Sequence, residues 1–301
     1  MKEKIKYDNH EEEWDKAITD ENRKKIARTW IDQKLTLGKW RHDRMYGALK
    51  PIIDFDNKFS WLTVGDGRYG TDANALFRLG ATKVMCTDIS DKLLAIGNAK
   101  GFIKDYSCQN AEDLTFKNQE FDFTLCKEAY HHFPRPHIAL HQMLRVSKVG
   151  VILIEPLDSM VQPKLLNRVL PIIKKLLGKP PNYDGHSFEA VGNYVFSVSE
   201  RELEKVQLGM HRRHIAYMYV NDYYEPGFEF VHLDSPKKTD VRKIMKTKML
   251  IKLRDILSRL NLMDSNLLIA ILFKEKPNSL LIESLENFGW QVKKLPPNPY
   301  L

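Results

Sequence analysis

The chain has 301 residues, of which 43% are apolar and 29% are charged, and its formal net charge is +8. This composition provides a core for one large domain, or for one domain with an additional cap, and it excludes a disordered tail. No apolar run reaches the roughly 18 residues of a membrane span, and the first residues lack the apolar region of a secretory signal, so we expect a cytoplasmic protein. The three cysteines, Cys86, Cys108 and Cys126, lack metal-binding spacing and are predicted to be reduced, packed thiols.

The chain divides into four predicted parts. Residues 1–50 are predicted to form a helical segment or lid, and residues 51–157 a core of alternating strands and helices. The core strands are expected at 59–64, 83–88, 103–109, 121–127 and 150–155, and its helices at 71–80, 90–100 and 136–147. This alternation is typical of βαβ units, so we expect a doubly wound, mostly parallel, Rossmann-like α/β sheet.

The regular alternation of predicted strands and helices ends in the second half of the chain. Residues 158–275 are predicted to be a substrate cap combined with the closing strands of the core, and residues 276–301 a C-terminal helix and tail. Helices are expected at 162–177, 199–208, 235–262 and 278–288, and strands at 214–220 and 266–275. Two closing strands bring the expected total to seven.

The helix predicted at 235–262 is strongly basic. It carries nine Lys or Arg residues against two Asp, a net charge of +7 over one stretch. An apolar stripe runs along it at helical spacing: Val241, Met245, Met249, Leu253, Ile256 and Leu260. The stripe favours a surface helix that packs on the body of the protein. The alternative is an electrostatic landing site for an anionic substrate, a nucleic acid or a membrane.

A glycine-rich loop follows the first predicted strand. Gly65-Asp66-Gly67-Arg68-Tyr69-Gly70 has the spacing G-x-G-x-x-G and precedes a predicted helix. Glycines at these positions allow a tight turn and let a ligand approach backbone N–H groups, although such turns also occur for structural reasons alone. Asp88 ends the second predicted strand, where a carboxylate can accept both hydroxyls of a ribose or can cap a helix. Together these features indicate nucleoside binding without distinguishing NAD from S-adenosylmethionine (SAM).

Three later segments distinguish between NAD and SAM as the ligand. The segments are Asn110-Ala111-Glu112-Asp113-Leu114-Thr115-Phe116 with Phe121–Cys126, then Glu128-Ala129-Tyr130-His131-His132-Phe133, and finally Met143–Gly150 with its following strand. In this order they resemble the motifs of the class I SAM-dependent methyltransferases, in particular the small-molecule, methyltransferase-11-like branch. The resemblance covers about residues 59–157 and implies a Rossmann-like fold, SAM as cofactor and S-adenosylhomocysteine as product.

The resemblance also implies site residues. Gly65, Asp66, Gly67 and Gly70 would form the loop beneath the methionine part of SAM. Asp88 would hold the ribose, Ile89 and Ala111 would contact the adenine, and Asn110 or Glu112 would lie near its amino group. Cys126 and Lys127 would line the pocket through their backbone.

Two positions depart from the family pattern. Thr63 stands where the family usually has an acidic residue, so cofactor affinity would depend more on Asp66 or another residue. Asn110 replaces the usual Asp, although its carbonyl oxygen can still accept a hydrogen bond from an amino group. The two departures leave open a non-catalytic protein that binds SAM or a nucleotide.

Histidines follow the fourth predicted strand. Histidine titrates near neutral pH, so His132 is the candidate general base, with His131 and Tyr130 shaping the pocket. The alternative is that these are buried, hydrogen-bonded structural residues. His137 and His141 share a helix face, but no third ligand has a clear spacing, so no metal site is expected.

The predicted function is SAM-dependent methylation of an O or N atom on a small acceptor. Candidate acceptors are anionic, nucleotide-linked or carbohydrate molecules, since basic and aromatic residues are frequent in the cap. Those residues are Tyr183, His186, Arg201, His211, Arg212, Arg213, Tyr217, Tyr219, Tyr223 and Tyr224. RNA methylation through the basic helix is an alternative, although no RNA-binding module is recognisable. An NAD-dependent reductase is disfavoured by the later motifs, and the sequence does not determine the oligomeric state.

Overall fold

The computed structural model describes residues 7–32, 34–158, 160–161, 163–178, 188–189, 191 and 193–300. The described helices are α1 Tyr7–Thr19, α2 Glu21–Ile31, α3 Leu37–Tyr46, α4 Lys50–Phe55, α5 Thr71–Leu79, α6 Lys92–Ala99, α7 Pro136–Val146, α8 Leu165–Leu176, α9 Glu200–Gly209, α10 Lys238–Arg259 and α11 Ser279–Phe288. The strands are β1 Ser60–Val64, β2 Lys83–Asp88, β3 Asp105–Cys108, β4 Phe121–Lys127, β5 Ser147–Pro156, β6 His214–Val220, β7 Leu267–Phe273 and β8 Gln291–Lys294.

The strands form one mostly parallel sheet in the order β3-β2-β1-β4-β5-β7-β6-β8. Strands β1 to β5 are mutually parallel, whereas β7 runs antiparallel to both β5 and β6. The Rossmann-like α/β prediction is confirmed, but the prediction of seven strands is wrong because β8 adds an eighth at the edge, antiparallel to β6. This strand has only four residues, and its sequence QVKK is too short to show a clear alternation.

The central strands are almost completely buried because helices cover both faces of the sheet. All seven residues of β7 are buried, and five of the seven residues of β4 form one uninterrupted buried run from Phe123 to Lys127. Continuous burial of this kind is typical of strands that are covered on both sides. The sheet therefore provides a rigid base, and the loops at the carboxyl ends of β1, β2 and β4 share one edge.

The N-terminal helices border this carboxyl edge. Asp15 on α1 accepts a hydrogen bond from the Ser90 hydroxyl, just after β2, at 2.8 Å, and also pairs with Lys92. Arg41 on α3 forms an ion pair with Asp222, which follows β6. Helices α1 and α3 are thus tied to loops that leave the carboxyl ends of two different strands.

Helix α10 packs on the body through a different face from the predicted one. Its buried residues are Ile244, Thr247 and Ile251. The predicted stripe is exposed instead, from 41% at Val241 to 66% at Met245. The helix has apolar residues on two opposite faces, and helical spacing alone does not tell which face is buried.

Other parts of the second half differ from expectation. Arg212 and Arg213 precede the first residue of β6, which pairs with the end of the C-terminal strand, so they lie at the amino edge of the sheet rather than in a cap. Cys108 is exposed, unlike the buried Cys86 and Cys126, so it is not a packed thiol. Tyr183 and His186 lie outside the described residues. No helix in the described part of the chain is long and apolar enough to cross a membrane.

Candidate functional site

The glycine loop joins β1 to α5 and approaches the end of β2 very closely. Gly65 and Gly70 have φ angles of +77° and +79°, a conformation that side chains rarely adopt. A Cβ atom added to Gly67 would lie 2.8 Å from a carboxylate oxygen of Asp88. Glycine at this position is therefore required for the loop to lie against the strand-end carboxylate.

Asp88 is 4% exposed and remains close to backbone donors. The N–H of Ser90 donates to its carboxylate at 3.1 Å. Burial raises the pKa of Asp88 to about 7, although backbone N–H groups of Ser90, Ile89 and Gly67 favour its charged form. The carboxyl group consequently titrates near neutral pH.

A cavity opens beside Asp88 at the carboxyl edge of the sheet. We refer to it as the strand-end cavity. It is lined by His10, Gly65, Asp88, Ile89, Gln109, Asn110, Ala111, Glu112, Ala129, His132, Phe133 and Pro134. Seven of the residues that the sequence singled out therefore meet around one cavity.

The segment after β3 holds one wall of the strand-end cavity in place. The Asn110 side chain accepts from the Glu112 N–H at 2.9 Å, which closes a tight turn. The Glu112 carboxylate accepts from the backbone N–H of Arg135 at 2.8 Å and from its Nε at 2.6 Å. Because these bonds orient Glu112 toward Arg135, the wall between Asn110 and Glu112 is fixed by the protein itself.

A second cavity shares the lining residue Gly65 with the first. Its walls carry acidic and basic side chains, so we refer to it as the charged cavity. It is lined by Trp30, His42, Tyr46, Gly65, Asp66, Gly67, Arg68, Thr71, Asp72, Lys127 and Glu128. Helices α2 and α3 supply the aromatic part of this wall.

An ion pair between a buried lysine and a half-buried glutamate dominates the charged cavity. The Lys127 side chain is 3% exposed and pairs with Glu128, and its ammonium donates to His42 Nδ1 at 2.7 Å. Burial would raise the pKa of Glu128, but Lys127 and its neighbours hold it well below its usual range. Burial and Lys127 both lower the pKa of His42, so this imidazole is neutral near pH 7. Lys127 therefore contributes its side chain, and not only its backbone as expected.

Asp72 adds a second carboxyl group to the charged cavity. It lies in the first turn of α5 and accepts a hydrogen bond from the hydroxyl of Tyr46. Burial raises its pKa to about 6. Glu128 is thus firmly ionised, whereas Asp72 titrates just below neutral pH.

Thr63 and Asp66 form a structural hydrogen-bond set. The Asp66 carboxylate accepts from the Thr63 hydroxyl at 2.9 Å and from the N–H groups of Asp72 and Ala73 at 2.9 and 2.8 Å. Asp66 is 2% exposed, and burial raises its pKa well above its usual range. Its carboxylate is directed at the N-terminus of α5, which corrects the expectation that Asp66 takes over the part of the missing acid at Thr63.

The two histidines after β4 have different partners. His131 Nδ1 lies 2.5 Å from Glu155, which is fully buried, and the pKa of His131 is raised because Glu155 outweighs the effect of burial. His132 lines the strand-end cavity, and its Nδ1 lies 2.6 Å from Glu189. Burial, followed by the neighbouring His131, lowers the pKa of His132. His132 is the member of the pair that reaches a cavity.

Three other predicted site residues are part of the packed interior. Tyr130 is fully buried in a core cluster, with its hydroxyl 3.4 Å from His137 Nδ1, which corrects the expectation that it shapes the pocket. Cys126 is also fully buried in that cluster. A Cβ at Gly70 would meet Ile103 at 2.6 Å, so this glycine allows close packing of the core.

Several wall residues were not identified from the sequence. Arg68 and Glu128 belong to the predicted motifs and Asp72 follows one of them, but none of the three was assigned a role. A φ of +49° at Glu128 turns the chain just after β4. Trp30 and Tyr46 come from the predicted lid, but their sequence gave no sign of the cavity they face. In the part of the chain that the structure describes, no group of three or more His, Cys, Asp or Glu side chains has a metal-binding arrangement.

One known protein family matches the part of the chain that carries these loops. Residues 62–154 match a family model described as a methyltransferase domain. The matched range contains the glycine loop, the strand-end carboxylate and the histidine segment. Residues 62–154 are thus the domain of a class I SAM-dependent methyltransferase.

Solved structures with a similar fold include methyltransferases and one cyclase. The chain is 16% identical to the [4+2]-cyclase SpnF over 78% of this chain and 81% of that one, with a TM-score of 0.47. It is 15% identical to the plantazolicin methyltransferase BpumL over 91% of this chain and 98% of that one, with a TM-score of 0.45. It is 17% identical to a methyltransferase-like protein from Bacillus halodurans over 77% of this chain and 99% of that one, with a TM-score of 0.43. At these scores the similarities carry no argument about function, and no curated protein matches the chain.

The cofactor of this enzyme class is SAM, and the residues present fit it. The fit rests on the Gly67 approach to Asp88, which leaves space that a Cβ would fill, and on two cavities that share the lining residue Gly65. One cavity offers a strand-end carboxylate beside apolar walls. The other offers charges of both signs, as a molecule with a nucleoside at one end and an amino acid at the other requires.

Proposed function

We propose that the chain transfers a methyl group from SAM to an oxygen or nitrogen atom of a small acceptor that enters beside His132. The observation that carries this proposal is that Gly65 lines both the strand-end cavity and the charged cavity. When bound, SAM supplies an electrophilic methyl group on a sulfonium centre.

The part of the strand-end cavity lined by Asp88, Ile89, Asn110 and Ala111 is proposed to hold the adenosine, and the part beside His132 is left to the acceptor. Asp88 would accept hydrogen bonds from the ribose hydroxyls, in keeping with its position at the end of β2. Ile89 and Ala111 supply apolar surface for the adenine ring. Asn110 would accept from the adenine amino group, since Glu112 is already oriented by Arg135.

The charged cavity is proposed to hold the amino-acid end. Glu128 and Asp72 would bind the α-ammonium group, while Arg68 and Lys127 would bind the α-carboxylate. This assignment explains how the site functions with Thr63 in place of an acid, because Glu128 supplies a firmly ionised carboxylate from the next strand over. The sheet order places β4 directly beside β1, so the substitute charge comes from a neighbouring strand.

His132 is proposed as the general base. With Nδ1–H donated to Glu189, its Nε2 is the nitrogen that accepts a proton. Burial lowers its pKa, so the imidazole is neutral and able to act as a base near pH 7. His132 would take the proton that the acceptor hydroxyl or amine loses as the new bond to the methyl carbon forms.

Calorimetric titration with SAM, S-adenosylhomocysteine and NADH tests the cofactor part. We expect micromolar binding of both adenosyl ligands and none of NADH. Adenosyl binding without S-adenosylhomocysteine formation from any oxygen or nitrogen acceptor would favour a non-catalytic binding protein. Binding of NADH alone would overturn the proposal.

A paired substitution tests the base. His132→Gln should lower the rate of S-adenosylhomocysteine formation and leave SAM affinity unchanged, because His132 is assigned to the acceptor side. His141→Gln is the matched control, since His141 is an exposed histidine on α7. An equal loss of SAM binding in His132→Gln would show that this histidine is structural.

A further inference from the structure

The outer faces of α8 and α10 present large apolar side chains to solvent. On α10, Met245, Met249 and Leu260 are between 62% and 66% exposed. Helix α8 has no buried residue at all, and its Leu176 is 81% exposed. Soluble proteins rarely expose apolar patches of this extent unless the patch binds something.

Basic side chains flank these apolar residues. Helix α10 carries exposed Lys and Arg residues around its outer face: Lys238, Arg242, Lys243, Lys246, Lys248, Lys252 and Arg259. Its only carboxylates are directed inward, because Asp240 accepts from the Ser235 hydroxyl at 2.7 Å and Asp255 accepts from the Asn221 amide at 2.9 Å. Residues 160–178 contain four Lys or Arg and no Asp or Glu. The outer faces are therefore apolar and cationic together.

The two helices lie next to each other where α8 begins and α10 ends. The Leu166 N–H of α8 donates to the Leu262 carbonyl, just after α10, at 2.9 Å. Asp264 accepts from the Lys164 N–H at 3.1 Å, and its own N–H donates to Asn167 at 2.9 Å. We call the outer faces of these two helices the α8–α10 surface, and these backbone ties fix the start of α8 beside the end of α10.

We propose that the α8–α10 surface docks on an anionic lipid bilayer. Apolar side chains would enter the boundary between headgroups and acyl chains, and the basic residues would contact lipid phosphates. RNA would engage the same cations, but it gives no reason for a row of exposed Met, Leu and Ile residues. A second copy of the chain would bring like charges together on this surface, since its outer faces carry almost only positive charge.

The location of the surface connects it with the site. Helix α8 follows β5 and α10 follows β6, and both strands end at the carboxyl edge of the sheet. Ile244 on α10 packs with Leu37 of α3, while His42 and Tyr46 of α3 line the charged cavity. A docked enzyme would therefore hold the carboxyl edge of the sheet, where both cavities lie, at the membrane. Resting on the proposed function, this predicts an amphiphilic acceptor that is presented from the bilayer.

Vesicle co-sedimentation of the full chain tests the docking. The probes are vesicles of phosphatidylcholine alone and of phosphatidylcholine with 30% phosphatidylglycerol. We expect binding to the anionic vesicles only, weakened by added salt. Met245→Ser combined with Met249→Ser should lower the partition coefficient at least tenfold. Leu280→Ser is the matched control, because Leu280 on α11 is 63% exposed, as Met249 is, and lies outside the surface.

Each other outcome overturns the docking proposal. Equal binding to both vesicle types would remove the role of the cations, and equal loss in Leu280→Ser would remove the role of the surface. Salt-sensitive binding to polyuridylate without vesicle binding would assign the surface to nucleic acid. A dimer that Met249→Ser dissociates would assign it to a second copy. Because the readout involves no SAM, failure here leaves the cofactor titration as an independent test of methyl transfer.

Discussion

Asp88→Asn replaces the strand-end carboxylate by an amide of the same shape. If Asp88 holds the ribose, two hydrogen bonds to a charged acceptor are weakened, at a combined cost of about 1.5–3 kcal/mol. This corresponds to a loss of affinity of about 10- to 150-fold. Calorimetry with 5′-methylthioadenosine measures the loss, since this ligand has the nucleoside but not the amino-acid end. Asp91→Asn, an exposed carboxylate on the same loop, is the control and should bind normally.

The pH dependence sharpens this prediction. With the pKa of Asp88 raised to about 7 by burial, the carboxylate is about one-tenth ionised at pH 6 and about nine-tenths ionised at pH 8. Affinity for 5′-methylthioadenosine should therefore rise about tenfold from pH 6 to pH 8 in the unmodified protein. It should stay flat in Asp88→Asn. An unchanged affinity, or the same pH profile in both proteins, would refute the ribose assignment.

The folding stability of the protein should change with pH in the direction opposite to its ligand affinity. An unfolded Asp88 ionises near pH 4, whereas the folded one holds its proton up to about pH 7, so folding stability falls as pH rises through this window. Asp88→Asn removes this fall, and the variant should melt at a higher temperature than the unmodified protein at pH 8 but not at pH 4. Weaker binding in a more stable protein would show that Asp88 is retained for its ligand.

Three further predictions concern the neighbouring positions. Gly67→Ala should displace the carboxylate that its Cβ would approach within 2.8 Å and weaken 5′-methylthioadenosine binding at least tenfold, while Gly47→Ala, which meets nothing within 4 Å, should have no effect in the same titration. Glu128→Gln should weaken S-adenosylhomocysteine binding about tenfold and spare 5′-methylthioadenosine; an equal loss of both would contradict the charged-cavity assignment. Lys127→Met should give the same split between these ligands, with a lower melting temperature in differential scanning fluorimetry because Glu128 loses its partner.

The fold was predictable from the sequence where local patterns are long and repeated. The run of apolar residues in β7 and the helical spacing of α5 each identify their element without further information. The pattern fails for β8, which has four residues, and for the buried face of α10. That face includes Thr247, whereas equally spaced Met and Leu residues on the opposite side are exposed. The choice between two such faces depends on what the rest of the chain offers as a partner.

The site was predictable to the extent that its residues adjoin a strand end. The glycine loop, Asp88 and His132 follow β1, β2 and β4, and parallel strands bring their carboxyl ends to one edge. Trp30 and Tyr46 come from helices that precede the sheet in the chain. Only the tertiary packing of α2 and α3 brings them to the charged cavity. The direction of a side chain could not be predicted from the sequence either. The Asp66 carboxylate, for example, faces the N-terminus of α5.

A crystal structure of the chain with S-adenosylhomocysteine tests most directly whether the two cavities that Gly65 lines form a single SAM site. We expect the ribose on Asp88, the adenine between Ile89 and Ala111, and the amino-acid end among Glu128 and Lys127. An amino-acid end that avoids the charged cavity, or a ligand bound elsewhere in the chain, would contradict it.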